Sequence, residues 1–266
     1  MMISEVCSND FERSCMSHHI LTRYKDNGAC KVLKGRVLLY IAMLDEPQSL
    51  WNREAADDLR QAAKICAEAL ESGAAEDGVD LRILYDLHDL KASFPVDRNC
   101  FGRLFSLQAA ADGCRDEFEL QALLQEKYGA DQIVFVNALN KEGISCARPL
   151  DNNSLRGDYF GESLLLFFNS PRSCYSLGYT LLHETLHLFG AADFYLPAQV
   201  KEVAEDLLKY SVMLHSGDMK IDELTRYLIG WQPQPSPKAR LMLERTKDVT
   251  WESVNRARTE RYKSDK

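Results

Sequence analysis

Residues 180–195 read TLLHETLHLFGAADFY and contain two of the six histidines of this 266-residue chain. His183 and His187 are four positions apart, so on a helix both rings project from one face and can bind a single metal ion. Glu184 follows the first histidine, where its carboxylate can reach water that a metal activates, as a general base must. The surrounding leucines predict a buried helix, in which an imidazole or carboxylate without a partner is costly.

The residues after the second histidine extend this pattern. Gly190 lets the chain leave the helix through a left-handed turn and swing back toward the histidines. Asp193 then supplies a carboxylate oxygen as a third ligand, which leaves a fourth position open for water. The sequence therefore predicts a zinc site formed by His183, His187 and Asp193, with Zn²⁺ as the cofactor.

The segment HETLHLFGAAD, 183–193, resembles the extended H-E-x-x-H-x-x-G-x-x-[HD] motif of the metzincin zinc metallopeptidases. Most members have a third histidine, and aspartate at that position is similar to the snapalysin-like members. The clan also has a methionine-bearing turn beneath the metal, and Met213 in YSVML, 210–214, matches it. The resemblance implies a twisted mixed sheet with an active-site helix and a smaller C-terminal subdomain from about residue 191.

Two residues after that methionine is His215, at a position where some metzincins have a tyrosine that contacts the metal or the developing oxyanion. A histidine there can donate a hydrogen bond to the tetrahedral intermediate, so it is a second candidate catalytic residue beside Glu184. An ordinary surface histidine is the alternative. Tyr195 is expected only to form a wall of the site.

A different third ligand remains open at this point. PAQVKEVAEDLLKY, 197–210, predicts a helix, and in the gluzincin arrangement a glutamate on a second helix completes the site. Glu202 and Glu205 are the candidates, with Glu205 better placed. That arrangement leaves Asp193 without a function, and a ligand on a tight turn costs less loop ordering, so Asp193 is favoured.

The rest of the chain predicts an α+β fold whose N-terminal half is α/β-like. RVLLYIAMLD, 36–45, is an apolar run of buried-strand length, and VDLRILYDL, 79–87, alternates as a strand does. A helix between them is expected to start at Ser49 and end at Gly73. Strand, helix, strand predicts a right-handed crossover, and QIVFVNAL, 132–139, adds another strand.

A helix is expected over 114–129, ending at Gly129, with inward apolar side chains at Phe118, Leu120, Leu123 and Leu124. The metzincin resemblance implies that SLLLFFN, 163–169, or a neighbouring segment of the polar stretch 140–162, is an antiparallel edge strand. An extended peptide would bind there by strand addition. KIDELTRYLIGW, 220–231, predicts a packing helix with Leu224, Tyr227 and Leu228 inward.

The expected organisation is a polar N-terminal arm at 1–30, a zinc metallopeptidase domain at 31–231, and a proline-rich connector with a C-terminal helix at 232–266. His18, His19 and His88 show no ligand spacing and are predicted to be solvated. Cys7 or Cys15 could cap the zinc as an inhibitory fourth ligand, although an ordinary thiol is the simpler interpretation.

Composition excludes some function classes. A net charge of −8 and a pI near 5.3 argue against a nucleic-acid interface, since phosphate contacts need a basic face. No apolar run is long enough to span a membrane, and the first residues do not form an export signal. Eight cysteines without a C-x-x-C pair predict free thiols and a cytoplasmic location.

The sequence thus predicts a cytoplasmic zinc endopeptidase that acts on a protein or peptide substrate, with Glu184 as general base. Two alternatives remain. A zinc-dependent amidohydrolase of a non-protein substrate would use the same residues. A zinc-stabilised effector or binding protein would have little turnover, and the presence of Glu184 argues against it.

Overall fold

A computed structural model describes residues 19–27, 30, 32–97, 99–149, 162–169 and 175–264. The strands are β1 Gly35–Asp45, β2 Leu81–Lys91, β3 Gln132–Glu142, β4 Cys146–Arg148 and β5 Ser163–Asn169. The helices are α1 Arg53–Glu76, α2 Phe101–Ala111, α3 Glu117–Tyr128, α4 Leu177–Leu188, α5 Ala198–Leu207, α6 Glu223–Leu228, α7 Pro237–Arg245 and α8 Trp251–Ser264. Cys7, Cys15 and His18, with most of the predicted N-terminal arm, lie outside the described residues.

The five strands form one mostly parallel sheet in the order β2-β1-β3-β5-β4. β1 pairs in parallel with β2 and β3, β3 pairs in parallel with β5, and β4 alone is antiparallel, against β5. The prediction of a mixed sheet is confirmed. Of the two segments expected to form the antiparallel edge, it is the neighbouring one, Cys146–Arg148, that does so. Residues 163–169 lie inside the sheet, which suits a strand that is apolar along its whole length.

Helices cover both faces of the sheet, because successive side chains of a strand point to opposite faces. Val37, Leu39 and Ile41 of β1 belong to the large core that also contains α1, α4 and the C-terminal helices. Leu38 and Tyr40 face the other way, into the layer formed by α2 and α3. β1 is therefore buried on both sides, as its uninterrupted apolar sequence predicts.

Helix α1 lies between β1 and β2 as expected, but its predicted ends were wrong. Asn52 caps it by accepting a hydrogen bond from the Ala55 amide, at 2.8 Å. Ser49 is instead buried and donates to the Leu44 carbonyl, at 2.9 Å. Gly73 lies inside the helix, where a Cβ would come within 3.1 Å of the Trp231 ring. This glycine lets the helix pack closely and does not end it.

Helix α3 ends at Gly129 with the expected left-handed φ of 59°. Leu120 and Leu124, one turn apart, are buried against the sheet. The inward placement of Phe118 and Leu123 was wrong, since these side chains are 52% and 39% exposed. They lie outside the face that Leu120 and Leu124 form, and apolar character alone does not decide which face packs.

Two of the histidines expected to be solvated are partly buried. The His88 ring stacks on Tyr40 with centroids 4.0 Å apart, and both of its ring nitrogens are buried. His19 places Nε2 3.0 Å from the Leu243 carbonyl oxygen and caps a short 3₁₀ turn at Ile20–Thr22. Long-range packing, which local sequence does not reveal, accounts for both errors.

The C-terminal part of the chain packs on the same core. In α6, Leu224, Tyr227 and Leu228 are buried, as predicted. Helix α7 was not expected in the proline-rich stretch. Its Pro237 lies in the first turn, where a missing N–H costs nothing, and Ser236 supplies the cap. Its fully buried Ala239 and Met242 join the core that contains α4.

Two further predictions concern cysteines and membranes. The described cysteines are free thiols, namely Cys30, Cys66, Cys100, Cys114 and Cys146. Burial raises the pKa of the Cys66 thiol to about 12. Within the described ranges, no helix is both long enough and apolar enough to cross a bilayer.

Candidate metal centre

Helix α4 carries both histidines of the candidate centre. Ser176 caps its start by accepting a hydrogen bond from the Tyr179 amide, at 3.2 Å. Gly178 allows close packing against α1, since a Cβ there would lie 2.9 Å from the Ile65 side chain. His183 and Glu184 of this helix are both buried, and both were predicted to belong to the functional site.

Three candidate ligand atoms converge on one point. Nε2 of His183 and Nε2 of His187 are 3.2 Å apart. Oδ1 of Asp193 lies 3.4 Å from the first nitrogen and 3.1 Å from the second. Ligands arranged tetrahedrally at about 2.0–2.1 Å from zinc are roughly 3.3 Å from one another. The three edges of this triangle match that spacing, and the group could hold a metal ion.

The hydrogen bonds on the outer side of each ring decide which nitrogen faces the centre. His183 Nδ1 lies 3.1 Å from the Val212 carbonyl oxygen, and His187 Nδ1 lies 2.8 Å from the Ala191 carbonyl oxygen. A carbonyl only accepts, so each Nδ1 donates its proton to it, and a ring that is neutral presents the lone pair of Nε2 inward.

Oδ1 of Asp193 completes the set of acceptors. It is buried, and while both rings are neutral it accepts no hydrogen bond within the described part of the chain. When both rings are neutral, these three acceptors face one another and repel, and a shared cation removes the repulsion and gives Oδ1 a partner. Two imidazoles and one carboxylate are a donor set that suits Zn²⁺. The residues therefore fit the predicted metal.

The turn after α4 brings Asp193 back to the histidines. Gly190 has φ +102°, a conformation that favours glycine, and a Cβ on it would lie 2.9 Å from the Tyr24 carbonyl oxygen. The Gly190 and Ala191 amides donate to the His187 and Leu186 carbonyls, each at 3.1 Å. The predicted reversal of the chain at this glycine is present.

A second turn, Val212–Leu214, forms hydrogen bonds with the residues of the centre and its supporting helix. The Val212 carbonyl accepts hydrogen bonds from His183 and from the Tyr179 hydroxyl, the latter at 2.6 Å. Met213 is fully buried, and its carbonyl accepts a hydrogen bond from the Phe194 amide, at 2.9 Å. The methionine turn is thus joined by hydrogen bonds both to the helix and to the segment that carries Asp193.

The charges of the centre favour a positive ion. Burial lowers the pKa of His187, but Asp193 and Glu184 outweigh burial and raise it to about 9. Burial raises the pKa of Asp193, but His187 and His183 outweigh that effect and hold it well below the usual range. A proton and a metal compete for the same lone pairs, so both shifts describe a site that attracts positive charge.

Glu184 lies beside the ligands without being one of them. It is buried at 7% exposure, and this burial raises its pKa, while His183 and His187 act in the opposite direction. Asp193 also raises this pKa, and a hydrogen bond with the backbone of Ala147 in edge strand β4 lowers it. The carboxylate is therefore between the candidate centre and the edge of the sheet.

These residues open into a cleft of about 490 Å³. His215 is on its wall, with φ 57°, its ring centroid 4.8 Å from that of His183 and its ring stacked on Tyr195 at 4.0 Å. The Tyr175 hydroxyl donates to the His215 carbonyl. His215 and Tyr195, the two residues expected near the site, therefore both line the cleft.

The competing ligands do not join the cluster. Glu202 and Glu205 are exposed on α5, and Glu205 pairs with Lys201 at 3.4 Å. The predicted helix is present, but it turns both carboxylates to solvent. In the described structure Asp193 alone takes the third position.

Comparison with protein-family models, with curated proteins and with solved structures finds no match for this chain. The metzincin resemblance thus rests on the motif.

Sequence reasoning missed the two chain segments that close the cleft. Ile20, Leu21 and Tyr24 line it from the N-terminal side, and Trp251, Val254 and Arg258 line it from α8. No local pattern relates these residues to the histidines. Tyr179 could have been found, because it is one helical turn before His183 and so shares its face.

Proposed function

We propose that this chain is a zinc-dependent peptidase in which His183, His187 and Asp193 hold the ion and Glu184 is the general base. One observation carries the proposal: three acceptor atoms of one buried and two half-buried residues lie 3.1–3.4 Å apart, beside a buried carboxylate that is not one of them. A structural zinc site closes its fourth position with a protein ligand, whereas this cleft leaves room for water and substrate.

A zinc ion at this point would polarise a peptide carbonyl and acidify water. Glu184 would accept the proton of the attacking water and return it to the leaving amine. Glu184 is buried except where it lines the cleft, so a bound substrate would cover it and the proton that it takes would stay available for the second transfer. His215 would donate a hydrogen bond to the oxyanion from the opposite wall.

The substrate would be an extended peptide. Among the described strands, β4 is the last of the sheet order and pairs with β5 on one side only, so its outer edge would offer backbone hydrogen bonds. Ala147 of that strand adjoins Glu184. A peptide added along β4 would therefore pass the base.

The experiment combines zinc analysis with digestion of a peptide library by the purified protein. The parent chain should bind one zinc ion and cleave peptides. Glu184→Gln is the matched control: it should keep zinc and the fold but lose cleavage by several orders of magnitude, because the amide cannot accept the proton.

Two outcomes contradict the proposal. Cleavage that survives in Glu184→Gln would remove the base from the mechanism, and a parent chain that binds no zinc would remove the metal. A zinc-loaded parent that leaves peptides intact but hydrolyses small amides would favour the amidohydrolase alternative, since the same residues serve both reactions.

A further inference from the structure

Helix α8 reaches the metal centre through one side chain. Nη2 of Arg258 lies 3.7 Å from Oδ2 of Asp193. Among the described residues that line the cleft, Arg258 is the only lysine or arginine. Its position is 65 residues after the aspartate in the chain, so the contact is made by the fold and not by a local motif.

The two oxygens of the aspartate face different partners. Oδ1 lies 3.1 and 3.4 Å from the two histidine nitrogens, and Oδ2 faces the guanidinium. A carboxylate that binds a metal through one oxygen keeps charge on the other, where a hydrogen-bond donor or cation can hold its orientation. Arg258 occupies that outer position.

An aromatic ring lies near the guanidinium of Arg258. Its guanidinium carbon lies 5.4 Å from the centroid of the Trp251 ring on the same helix. Arg23, from the N-terminal segment, stacks on that ring at 4.4 Å. Trp251 thus has a guanidinium near its ring from each of the two chain segments that close the cleft, and the ring attracts that of Arg258.

We propose that Arg258 is a positioning residue for the third metal ligand: it holds Oδ2 of Asp193 so that Oδ1 points at the ion. The inference rests on the zinc site of the proposed function. It makes α8 a component of the metal centre.

The expected effect is modest. Loss of an outer partner of a metal ligand typically costs 10- to 100-fold in metal affinity. The Arg258 side chain is 46% exposed and Asp193 is 18% exposed, so water screens part of the interaction. We therefore expect the lower end, about tenfold weaker zinc binding when the charge is removed.

The test measures zinc dissociation constants of the full chain by competition with a chelating indicator. Arg258→Met keeps a long unbranched apolar side chain but removes the charge, and it should bind zinc about tenfold more weakly. Arg258→Lys should recover part of the loss. Arg256→Met is the matched control, because Arg256 is exposed on the same helix and forms no ion pair with described residues. It should bind zinc like the parent.

Two further readouts separate positioning from simple support of the helix. The difference between parent and Arg258→Met should shrink in about 1 M salt, where charges are screened over about 3 Å. The metal-free unfolding midpoint of Arg258→Met should stay at the parent value.

Unchanged zinc affinity in Arg258→Met would overturn the inference while leaving the proposed function intact. Weaker zinc binding accompanied by an equally lowered metal-free midpoint would also overturn it. A parent chain that binds no zinc would overturn both.

Discussion

At the residue scale, Asp193 decides which arrangement of ligands the centre has. We predict that Asp193→Ala lowers zinc affinity by orders of magnitude, because it removes one of three ligand atoms. Glu205→Ala should bind zinc like the parent, because Glu205 is an exposed partner of Lys201. Zinc titration of both variants checks this. The reverse result would place the third ligand on α5 and leave the histidines in the same roles.

His88 is a second residue whose chemistry has a measurable consequence. Burial lowers its pKa from 6.5, and four nearby charged groups modify the shift, namely Asp112, Asp86, Asp89 and Lys127. The unfolded chain thus binds a proton near pH 6.5 that the folded chain does not bind. The contribution of neutral His88 to the free energy of unfolding is fully present above about pH 6.5. It is lost as the pH falls from there through the lower pKa of the folded state.

We therefore predict that His88→Phe flattens the acid side of the stability profile. Phenylalanine keeps the ring stacked on Tyr40 and removes the titrating group. Urea unfolding between about pH 7 and pH 5 should show a smaller loss for the variant than for the parent. Equal losses would assign the acid sensitivity to other residues.

Much of the centre could be predicted because its signals are local. The i, i+4 histidines, the glutamate between them and the glycine after them follow from the geometry of a helix and its end. Arg258 could not be predicted, because an arginine on a polar C-terminal helix is ordinary until the fold places Asp193 beside it.

At the element scale, the turn after α4 requires glycine at position 190. We predict that Gly190→Ala destabilises the fold by more than the 1–2 kcal/mol of a left-handed residue, because its Cβ would also meet the Tyr24 carbonyl at 2.9 Å. Gly113→Ala is the control. It has φ +75° and no atom within 4 Å of the added carbon, so it should cost about 1–2 kcal/mol.

Denaturant unfolding of the two variants measures the difference. Equal losses would mean that the N-terminal segment does not pack on this turn. A larger loss in Gly190→Ala, together with weaker zinc binding, would show that the position of Asp193 depends on the same contact.

Strands with a long apolar sequence could be predicted. The existence of a very short strand and the pairing partner of a strand could not. β1 and β3 are apolar runs whose burial follows from their composition. β4 has only three residues, too few for any periodicity. The parallel pairing of β5 depends on β3, which is distant in the chain, so its own sequence does not reveal its place in the sheet.

At the scale of the whole molecule, the boundary predicted at residue 231 can be tested by truncation. Ala239 and Met242 are fully buried, and Val254 is nearly so, in the core that contains α4. We predict that a chain ending at 231 unfolds at a much lower temperature, since it exposes the apolar surface that these residues cover.

A chain ending at 260 is the control. It keeps the cleft-lining residues of α8 and should unfold near the parent temperature. If the shorter chain unfolded like the parent, residues 232–266 would be an appended piece, as the proline-rich sequence suggests.

The two hydrogen bonds behind the histidines have a consequence for how this chain can vary. Their acceptors are the carbonyls of Val212 and Ala191, which belong to the backbone. Every amino acid has that carbonyl, so no exchange of side chain at either position deletes the acceptor. The backbone conformation at these two positions therefore sets the orientation of the His183 and His187 rings. A substitution at Val212 or Ala191 disturbs a ring only if it moves the backbone.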